Sequence, residues 1–262
     1  MSPKPKRNKI GEYLEFATGL AEEAGRITLK YFRQGAAVET KADQTPVTIA
    51  DRETEQFLRD EIEGQYKEHG ILGEEFGEHN TGARWRWIVD PIDGTQAFVQ
   101  GLPLYTVLIA LECNGEPHLG VIHNPVLGET VAAATGLGCR LNGEPCHVSD
   151  TADLGEAWIQ TTDYAELTRR RPKLAAGLLG AGKWARTWAD GYGYLLLATG
   201  RADVALDPIV NLWDVAPVKP IIEEAGGRFS DLDGHASIHN ETALATNGKL
   251  HDQVLELARL DR

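Results

Sequence analysis

Two carboxylates, Asp90 and Asp93, follow the apolar run 87–89 and stand directly before Gly94 and Thr95. At the carboxyl end of a strand, such residues can face one small volume, and the Gly94-Thr95 backbone offers N–H groups beside them. Hard oxygen ligands favour Mg²⁺ or Mn²⁺, and magnesium commonly completes its shell with water and with phosphate oxygens of a substrate. The motif therefore indicates a magnesium-dependent phosphatase; the alternative is a turn in which both carboxylates only cap the next helix.

Two further acidic segments could supply ligands to the same site. Glu74 follows Gly73 at the end of a short apolar run, where the glycine lets the chain turn and present a carboxylate. Asp214, within residues 211–216, is predicted as the N-cap of a helix, where its oxygen could also bind a cation beyond the helix end. Taken alone, each segment is more typical of an ordinary turn or cap.

Length and composition limit the class of protein. The chain has 262 residues, of which 42% are hydrophobic, and this is enough for one large domain or two closely joined halves. No apolar stretch approaches the roughly 20 residues of a membrane helix, and the first residues lack the apolar segment of a secretory signal. We therefore expect a soluble, cytoplasmic protein with no membrane partner.

The cysteines offer no sign of a disulfide framework. Cys113, Cys139 and Cys146 make an odd number with no C-x-x-C spacing, so a structural zinc site is not indicated either. We expect them to be small apolar fillers.

The charge balance limits the possible partners. The formal net charge is −13, whereas nucleic-acid binding requires clustered Lys and Arg, so no nucleic-acid partner is expected. A basic run lies in residues 1–9, which we expect to form a flexible, solvated tail. An anionic substrate could enter so acidic a protein only where divalent cations reverse the local field.

Residues 10–153 are predicted to form an N-terminal α+β half that carries the metal-binding motif. Apolar residues at helical spacing from Ile10 to Gly35 indicate an amphipathic first helix. A capping-box pattern at residues 48–51 begins a second helix and places Asp51 in its first turn. Strand-like segments follow at residues 85–89, 105–111, 119–122, 130–134 and 139–141. This arrangement is typical of helices on an antiparallel sheet.

Residues 154–262 are predicted to form a C-terminal α/β half that carries the substrate-binding residues. Strands and helices alternate there, with elements at residues 157–161, 191–199, 202–206, 215–225 and 252–260. Residues 172–183 are predicted to be a loop. Pro217 is compatible with the first turn of a helix, whereas Pro220 should kink that helix or delay its start.

Together and in this order, the motifs resemble those of the inositol monophosphatase superfamily of metal-dependent phosphatases. The resemblance rests on Thr-x-x-Asp at 48–51, Gly-Glu-Glu at 73–75, Asp-Pro-Ile-Asp-Gly-Thr at 90–95, Trp-Asp-x-Ala at 213–216 and Glu-Ala-Gly-Gly at 224–227. It implies an α/β (α+β) fold, the layered αβαβα sandwich of the inositol monophosphatase and fructose-bisphosphatase type. It also implies a homodimer.

The resemblance implies a site for two to three Mg²⁺ ions, with Mn²⁺ as a possible substitute. Glu74, Asp90 and the carbonyl group of Ile92 would hold one ion, and Asp90, Asp93 and Asp214 a second. A third, weaker ion would lie near Glu74. Paired cations lower the pKa of water and neutralise charge on the phosphate and on the departing alkoxide.

Catalytic roles are also implied by the resemblance. Thr95 would orient the attacking water, with Glu74 beside it, and Asp51 would support Thr95 or that water. Backbone N–H groups of Gly94 and Thr95, at the start of a helix, should bind the phosphate.

The substrate is suggested by residues 186–194, Arg-Thr-Trp-Ala-Asp-Gly-Tyr-Gly-Tyr, a pattern that resembles the histidinol-phosphate phosphatases of the superfamily. Arg186, Asp190 and Tyr192 are the candidate substrate residues here, and Asp207 occupies the place where inositol-directed members carry a glutamate. Acidic and aromatic groups suit a phosphorylated amino-alcohol with an ammonium group and a flat ring. Histidinol phosphate, an intermediate of histidine biosynthesis, has both.

Other functions stay open at this point. If Asp190 and Tyr192 face solvent or only hold Arg186, an inositol or related sugar-alcohol phosphate is the alternative substrate. A 3′,5′-bisphosphate nucleotide fits less well, because its second phosphate requires Arg or Lys where this chain has acids. The non-enzyme alternative is a catalytically inactive, metal-binding regulator with the same fold.

Overall fold

The computed structural model describes residues 7–34, 38–40, 46–188 and 190–261. The helices of this part are α1 (Arg7–Tyr31), α2 (Ile49–Gln65), α3 (Thr95–Val99), α4 (Tyr164–Arg170), α5 (Pro172–Ala181), α6 (Gly191–Ala198), α7 (Leu212–Val215), α8 (Val218–Glu224) and α9 (His251–Ala258). Its strands are β1 (Val38–Thr40), β2 (Pro46–Thr48), β3 (Gly70–Gly73), β4 (Gly77–His79), β5 (Trp85–Asp93), β6 (Thr106–Cys113), β7 (Glu116–Asn124), β8 (Glu129–Ala134), β9 (Gly138–Leu141), β10 (Glu144–Pro145), β11 (Trp158–Thr161), β12 (Trp184–Arg186), β13 (Val204–Asp207), β14 (Arg228–Ser230) and β15 (Ala243–Thr246).

Two sheets form the framework. The larger has the strand order β10-β9-β8-β7-β6-β5-β3-β4 and is antiparallel, as predicted for this half, except that β3 and β5 run parallel. The smaller has the order β12-β11-β13-β15-β14, in which β12, β11 and β13 run parallel. Strands β1 and β2 pair separately.

Alternating side chains divide the core into layers. On β6, Val107 and Ile109 pack with α1 and α2, whereas Leu108 and Ala110 face α6 and α8 on the other side of the sheet. All residues of α6 are buried, because this helix lies between the two sheets. On the outer face of the smaller sheet, Leu206 packs with α5 and α9. The order helix, sheet, helix, sheet, helix confirms the predicted αβαβα sandwich.

The prediction of a loop at residues 172–183 is wrong, because most of this segment forms helix α5. Pro172 occupies the first helical position, where its missing N–H group costs nothing and its fixed φ favours the helix. Leu174 and Leu178, four residues apart, are fully buried on one side of the helix. This apolar face stabilises the helix by packing on the smaller sheet.

The predicted helix over residues 215–225 is divided in two. Asn211, not Asp214, is the N-cap of α7, so Asp214 lies in the first turn. Pro217 is the N-cap of α8, and Pro220 stands in the first turn of that helix. Because proline provides no N–H group for a helix interior, the second helix starts late, as expected for Pro220.

Helix α1 takes in residues 7–9 of the predicted tail, and residues 1–6 lie outside the described residues. Among the described helices, none combines the length and apolar character required to cross a lipid bilayer.

Candidate active site

Helix and strand ends surround a cavity of about 430 Å³ between the two sheets. Seven acidic side chains line it: Glu74, Asp90, Asp93, Asp163, Asp190, Asp207 and Asp214. Ile92, Gly94 and Thr95 line it as well. Glu74 and Asp90 approach each other because β3 and β5 are parallel, so their carboxyl ends meet at one edge of the sheet.

A β-bulge brings Asp90 and Asp93 to the same side. Asp90 pairs with Leu108 and Asp93 with Thr106, so β5 advances three residues where β6 advances two. In a regular strand, residues three apart point to opposite faces, and the extra residue cancels this alternation. Pro91 stands within this irregularity, where a strand tolerates proline.

The carboxylates of Asp90, Asp93 and Asp214 form the centre of the cavity. One oxygen from each lies within 4.8 Å of the others. Asp93 Oδ2 accepts hydrogen bonds from the Thr106 hydroxyl group (2.7 Å) and the Gly191 amide (2.5 Å). Asp90 Oδ1 accepts a hydrogen bond from the Ile92 amide and Asp214 Oδ2 accepts one from the Asn211 amide, so the fold orients all three carboxylates.

The crowding makes ionisation of these carboxylates unfavourable. Burial, reinforced by the charge of Glu74, raises the pKa of Asp93 to about 7 although two hydrogen bonds oppose the shift. Burial and neighbouring acids also raise the pKa values of Asp90 and Asp214 well above the ordinary range. Among the described residues, no Lys, Arg or His lines the cavity. A converging set of oxygen donors without a protein cation fits a hard divalent metal ion.

Glu74 depends on a buried side chain that the sequence analysis did not identify. The Glu55 carboxylate accepts hydrogen bonds from the amides of Glu75 (2.6 Å) and Phe76 (3.1 Å) and forms an ion pair with Arg59 (2.8 Å). A Cβ atom at Gly73 would overlap this carboxylate, so only glycine fits. Glu55 thus fixes the turn that presents Glu74. The available signal was its position four residues after Asp51, on the same side of α2.

Of the predicted catalytic residues Thr95 and Asp51, only Thr95 lines the cavity. The Thr95 hydroxyl group lines the cavity and donates a hydrogen bond to the carbonyl oxygen of Ile92 at 3.1 Å. Asp51 lies in the first turn of α2, as predicted, and does not line the cavity. One oxygen accepts from the Thr48 amide, while Oδ1 is buried without a hydrogen-bond partner among the described residues. Burial raises the pKa of Asp51 to about 6, and the charge of Glu74 contributes.

Two of the predicted substrate residues, Asp190 and Asp207, line the cavity beside the cluster of Asp90, Asp93 and Asp214. Asp190 directly precedes α6 with φ 58° and ψ −154°, a backbone region that favours glycine. Its carboxylate approaches Gly94 so closely that a Cβ atom there would lie 2.9 Å from Oδ2. Asp207 accepts hydrogen bonds from the Thr162 amide (2.8 Å) and the Tyr194 hydroxyl group (2.6 Å).

The structure does not bring Arg186 or Tyr192 to the cavity. The Arg186 guanidinium lies over the Trp184 ring, 5.0 Å from its centroid, and donates to the neighbouring carbonyl group. Tyr192 points toward Glu129 and Arg201 on the other side of α6. Tyr194 lines the cavity instead. No periodicity in α6 indicates this choice, because the helix is buried on every side.

Comparisons with known proteins agree on one family. Residues 10–260 match the model described as the inositol monophosphatase family. A histidinol-phosphatase of Chlorobaculum parvum is 45% identical, over 86% of this chain and 88% of the relative. A histidinol-phosphatase of Mycobacterium tuberculosis is 38% identical, over 92% and 96%. The solved structure of an IMPase from Thermotoga maritima has a TM-score of 0.88 at 31% identity and covers 95% of this chain and 98% of that one.

The raised pKa of Asp93 predicts how pH and metal affect stability. Because the folded protein holds a proton on Asp93 up to about pH 7 and the unfolded chain loses it near its ordinary value of 3.8, metal-free stability should fall as pH rises between these values. A divalent cation that replaces the proton should therefore raise Tm more at about pH 7.5 than at about pH 5.5. Thermal unfolding with Mg²⁺ or chelator measures both shifts. Asp93→Asn is the control and should flatten the difference; an equal Mg²⁺ shift at both pH values would contradict this interpretation.

The position of Glu55 predicts an effect on metal affinity. Glu55→Gln removes the charge that pairs with Arg59 and weakens the hold on the turn, so the affinity for Mn²⁺ or Mg²⁺ should fall by roughly tenfold or more. Isothermal calorimetry measures this directly. Glu63→Gln, an exposed position on the same helix, should leave the affinity unchanged. The same affinity in both variants would show that the turn keeps its geometry without Glu55.

Proposed function

The chain belongs to the inositol monophosphatase family and is a phosphoric monoester hydrolase, and on this premise we propose that it hydrolyses L-histidinol phosphate to L-histidinol and phosphate with Mg²⁺ as cofactor. Two histidinol-phosphatase relatives, with 45% and 38% identity, support the choice of substrate. The observation that carries it is the presence of Asp190 and Asp207 in the cavity, beside the cluster of Asp90, Asp93 and Asp214.

The residues of the cavity have separate tasks in this proposal. Glu74, Asp90, Asp93, Asp214 and the carbonyl group of Ile92 would hold two to three magnesium ions. When bound, magnesium supplies Lewis-acid chemistry: it neutralises the charge of the phosphate ester and makes water a better nucleophile. Without such a cation, the seven carboxylates would repel a phosphate group.

The attacking water would be oriented by Thr95. Because this hydroxyl group donates a hydrogen bond to the Ile92 carbonyl oxygen, its own oxygen is left to accept a hydrogen bond from water. Glu74, which lines the cavity, would take up the proton that the water loses, and Asp51, whose pKa the charge of Glu74 helps to raise, would support this site from outside the cavity lining. The first N–H groups of α3, at Gly94 and Thr95, would bind the phosphate oxygens, because a helix start leaves them without partners inside the helix.

The leaving alcohol would be recognised by the second group of acids. Asp190 and Asp207 offer negative charge to an ammonium group, and charge-assisted hydrogen bonds of this kind are strong and directional. Tyr194 and Trp213 line the same cavity and provide apolar surface for a flat ring. Protein donors already bind both oxygens of Asp207, so Asp190 would be the principal partner of the ammonium group.

Inositol phosphate is the second candidate substrate, because the IMPase of Thermotoga maritima shares the fold at 31% identity. A sugar alcohol would use Asp207 as an acceptor for its hydroxyl groups and gain little from a second carboxylate. Homodimerisation and a cytoplasmic location stay predictions.

A panel of phosphate esters at fixed Mg²⁺ tests the substrate. Asp190→Asn should raise KM for histidinol phosphate by roughly tenfold and change KM for inositol phosphate far less, since only the former carries an ammonium group. Asp163→Asn, on the rim of the same cavity, is the matched control. Equal effects of Asp190→Asn on both esters would remove the case for an ammonium site.

Metal removal and two substitutions test the enzyme against an inactive regulator. Hydrolysis should stop in chelator and return with Mg²⁺, and Asp93→Asn or Thr95→Ala should lower kcat by orders of magnitude while the fold is retained. Steady-state kinetics with circular dichroism as a folding control measures this. Unchanged turnover in Asp93→Asn would contradict the proposed mechanism.

A further inference from the structure

The hairpin of β9 and β10 places two cysteines side by side. Its turn, Asn142-Gly143, has positive φ at both positions (49° and 84°), as a tight two-residue hairpin requires. The register then sets Cys146 opposite Cys139, and the Cys146 amide donates to the Cys139 carbonyl oxygen at 3.0 Å. The two sulfur atoms are 3.5 Å apart. This pairing goes beyond the sequence-based expectation of apolar fillers.

The backbone spacing at this pair suits a covalent bond. Residues directly opposite in an antiparallel ladder have Cα atoms about 4.5–5.5 Å apart, and disulfides span about 4.4–6.8 Å. The sulfur atoms therefore reach bonding distance by side-chain movement, without rearrangement of the strands. Cys113 provides a contrast: it lies at the end of β6, away from this hairpin, and its sulfur accepts a hydrogen bond from Arg84.

The two thiols differ in exposure and acidity. Cys139 is only 2% exposed, whereas Cys146 is partly open to solvent. The interaction with Cys139 and the positive charge of Arg201 lower the pKa of Cys146. The same interaction, together with burial, raises the pKa of Cys139. Cys146 is thus the thiol that an oxidant can reach, and Cys139 is the thiol held next to it.

We propose that Cys139 and Cys146 form a reversible dithiol–disulfide site, oxidised by peroxides and reduced by small thiols. The Cys146 thiolate attacks the peroxide O–O bond, becomes a sulfenic acid and releases hydroxide. The Cys139 thiol then attacks this sulfur, so that the S–S bond forms and water leaves. In total, the two thiols lose two electrons and two protons to one peroxide.

The location of the site indicates what the bond does. Glu224, at the end of α8, accepts hydrogen bonds from the amides of Gly136 (2.7 Å) and Gly138 (2.8 Å), which fixes the start of β9. Neither cysteine lines the active-site cavity. The disulfide therefore captures an oxidised Cys146 before irreversible oxidation, in a hairpin that is already ordered, and it should leave phosphatase activity unchanged.

Peptide mapping of the full chain tests this proposal without reference to the phosphate ester that the enzyme hydrolyses. Arg140 lies between the two cysteines, so trypsin separates them unless a disulfide joins the peptides. After limited hydrogen peroxide and blocking of free thiols, Cys113→Ser should yield the joined Cys139 and Cys146 peptides, lower in mass by two hydrogen atoms, and dithiothreitol should release them. Cys139→Ser should instead accumulate sulfenic and sulfinic acid at Cys146.

Cys146→Ser is the control. Cys139 should resist oxidation in this variant, because the thiol that an oxidant can reach, that of Cys146, has been removed. Sulfinic acid at Cys146 without any joined peptide in Cys113→Ser would overturn the proposal, as would disulfides formed only between separate chains. If a serine variant fails to fold, mapping of the unsubstituted protein decides between the same outcomes.

Discussion

The central constraint on this protein is electrostatic repulsion among carboxylates that the fold places in one cavity. Burial raises the pKa of Asp93 to about 7 and also raises the pKa of Asp90, because the ionised forms are unfavourable without a cation. Such an arrangement persists only if the rest of the structure is stable enough to impose it. Two sheets, covered and separated by three helical layers, supply that stability through large apolar interfaces.

Local backbone geometry then determines where each carboxylate lies. The parallel pairing of β3 and β5 brings Glu74 toward Asp90, and the bulge in β5 turns Asp93 to the same side. Glycine is required where the chain approaches a carboxylate: a Cβ atom at Gly191 would lie 2.7 Å from Asp93 Oδ2. Small residues at these points allow acids from distant segments to approach one another, with one oxygen each of Asp90, Asp93 and Asp214 within 4.8 Å.

The sequence was most informative where function requires particular residue types. The acids of the cluster and the capping box before α2 were predictable because these residue types leave direct signals in the sequence, and the layered fold was predictable through the resemblance to a known family. Other features depended on tertiary contacts. Residues 172–183 form a helix only because Leu174 and Leu178 find an apolar sheet to cover. Whether Tyr192 or Tyr194 enters the cavity depends on the phase of α6, which its uniformly apolar sequence does not reveal.

The cluster of Asp90, Asp93 and Asp214 is connected through Asp93 to Asp190, the proposed partner of the substrate's ammonium group. The Oδ2 atom of Asp93 accepts a hydrogen bond from the Gly191 amide. This bond fixes the start of α6, the helix that follows Asp190 and carries Tyr194. The unfavourable backbone of Asp190 costs about 1–3 kcal/mol and persists only where neighbouring contacts impose it. If Asp93 binds a cation as proposed, one carboxylate would hold both that cation and the start of the helix that follows Asp190. A change in metal occupancy would then alter the hold on Asp190, so the proposed cation site and the proposed site for the ammonium group would be coupled by the same side chain.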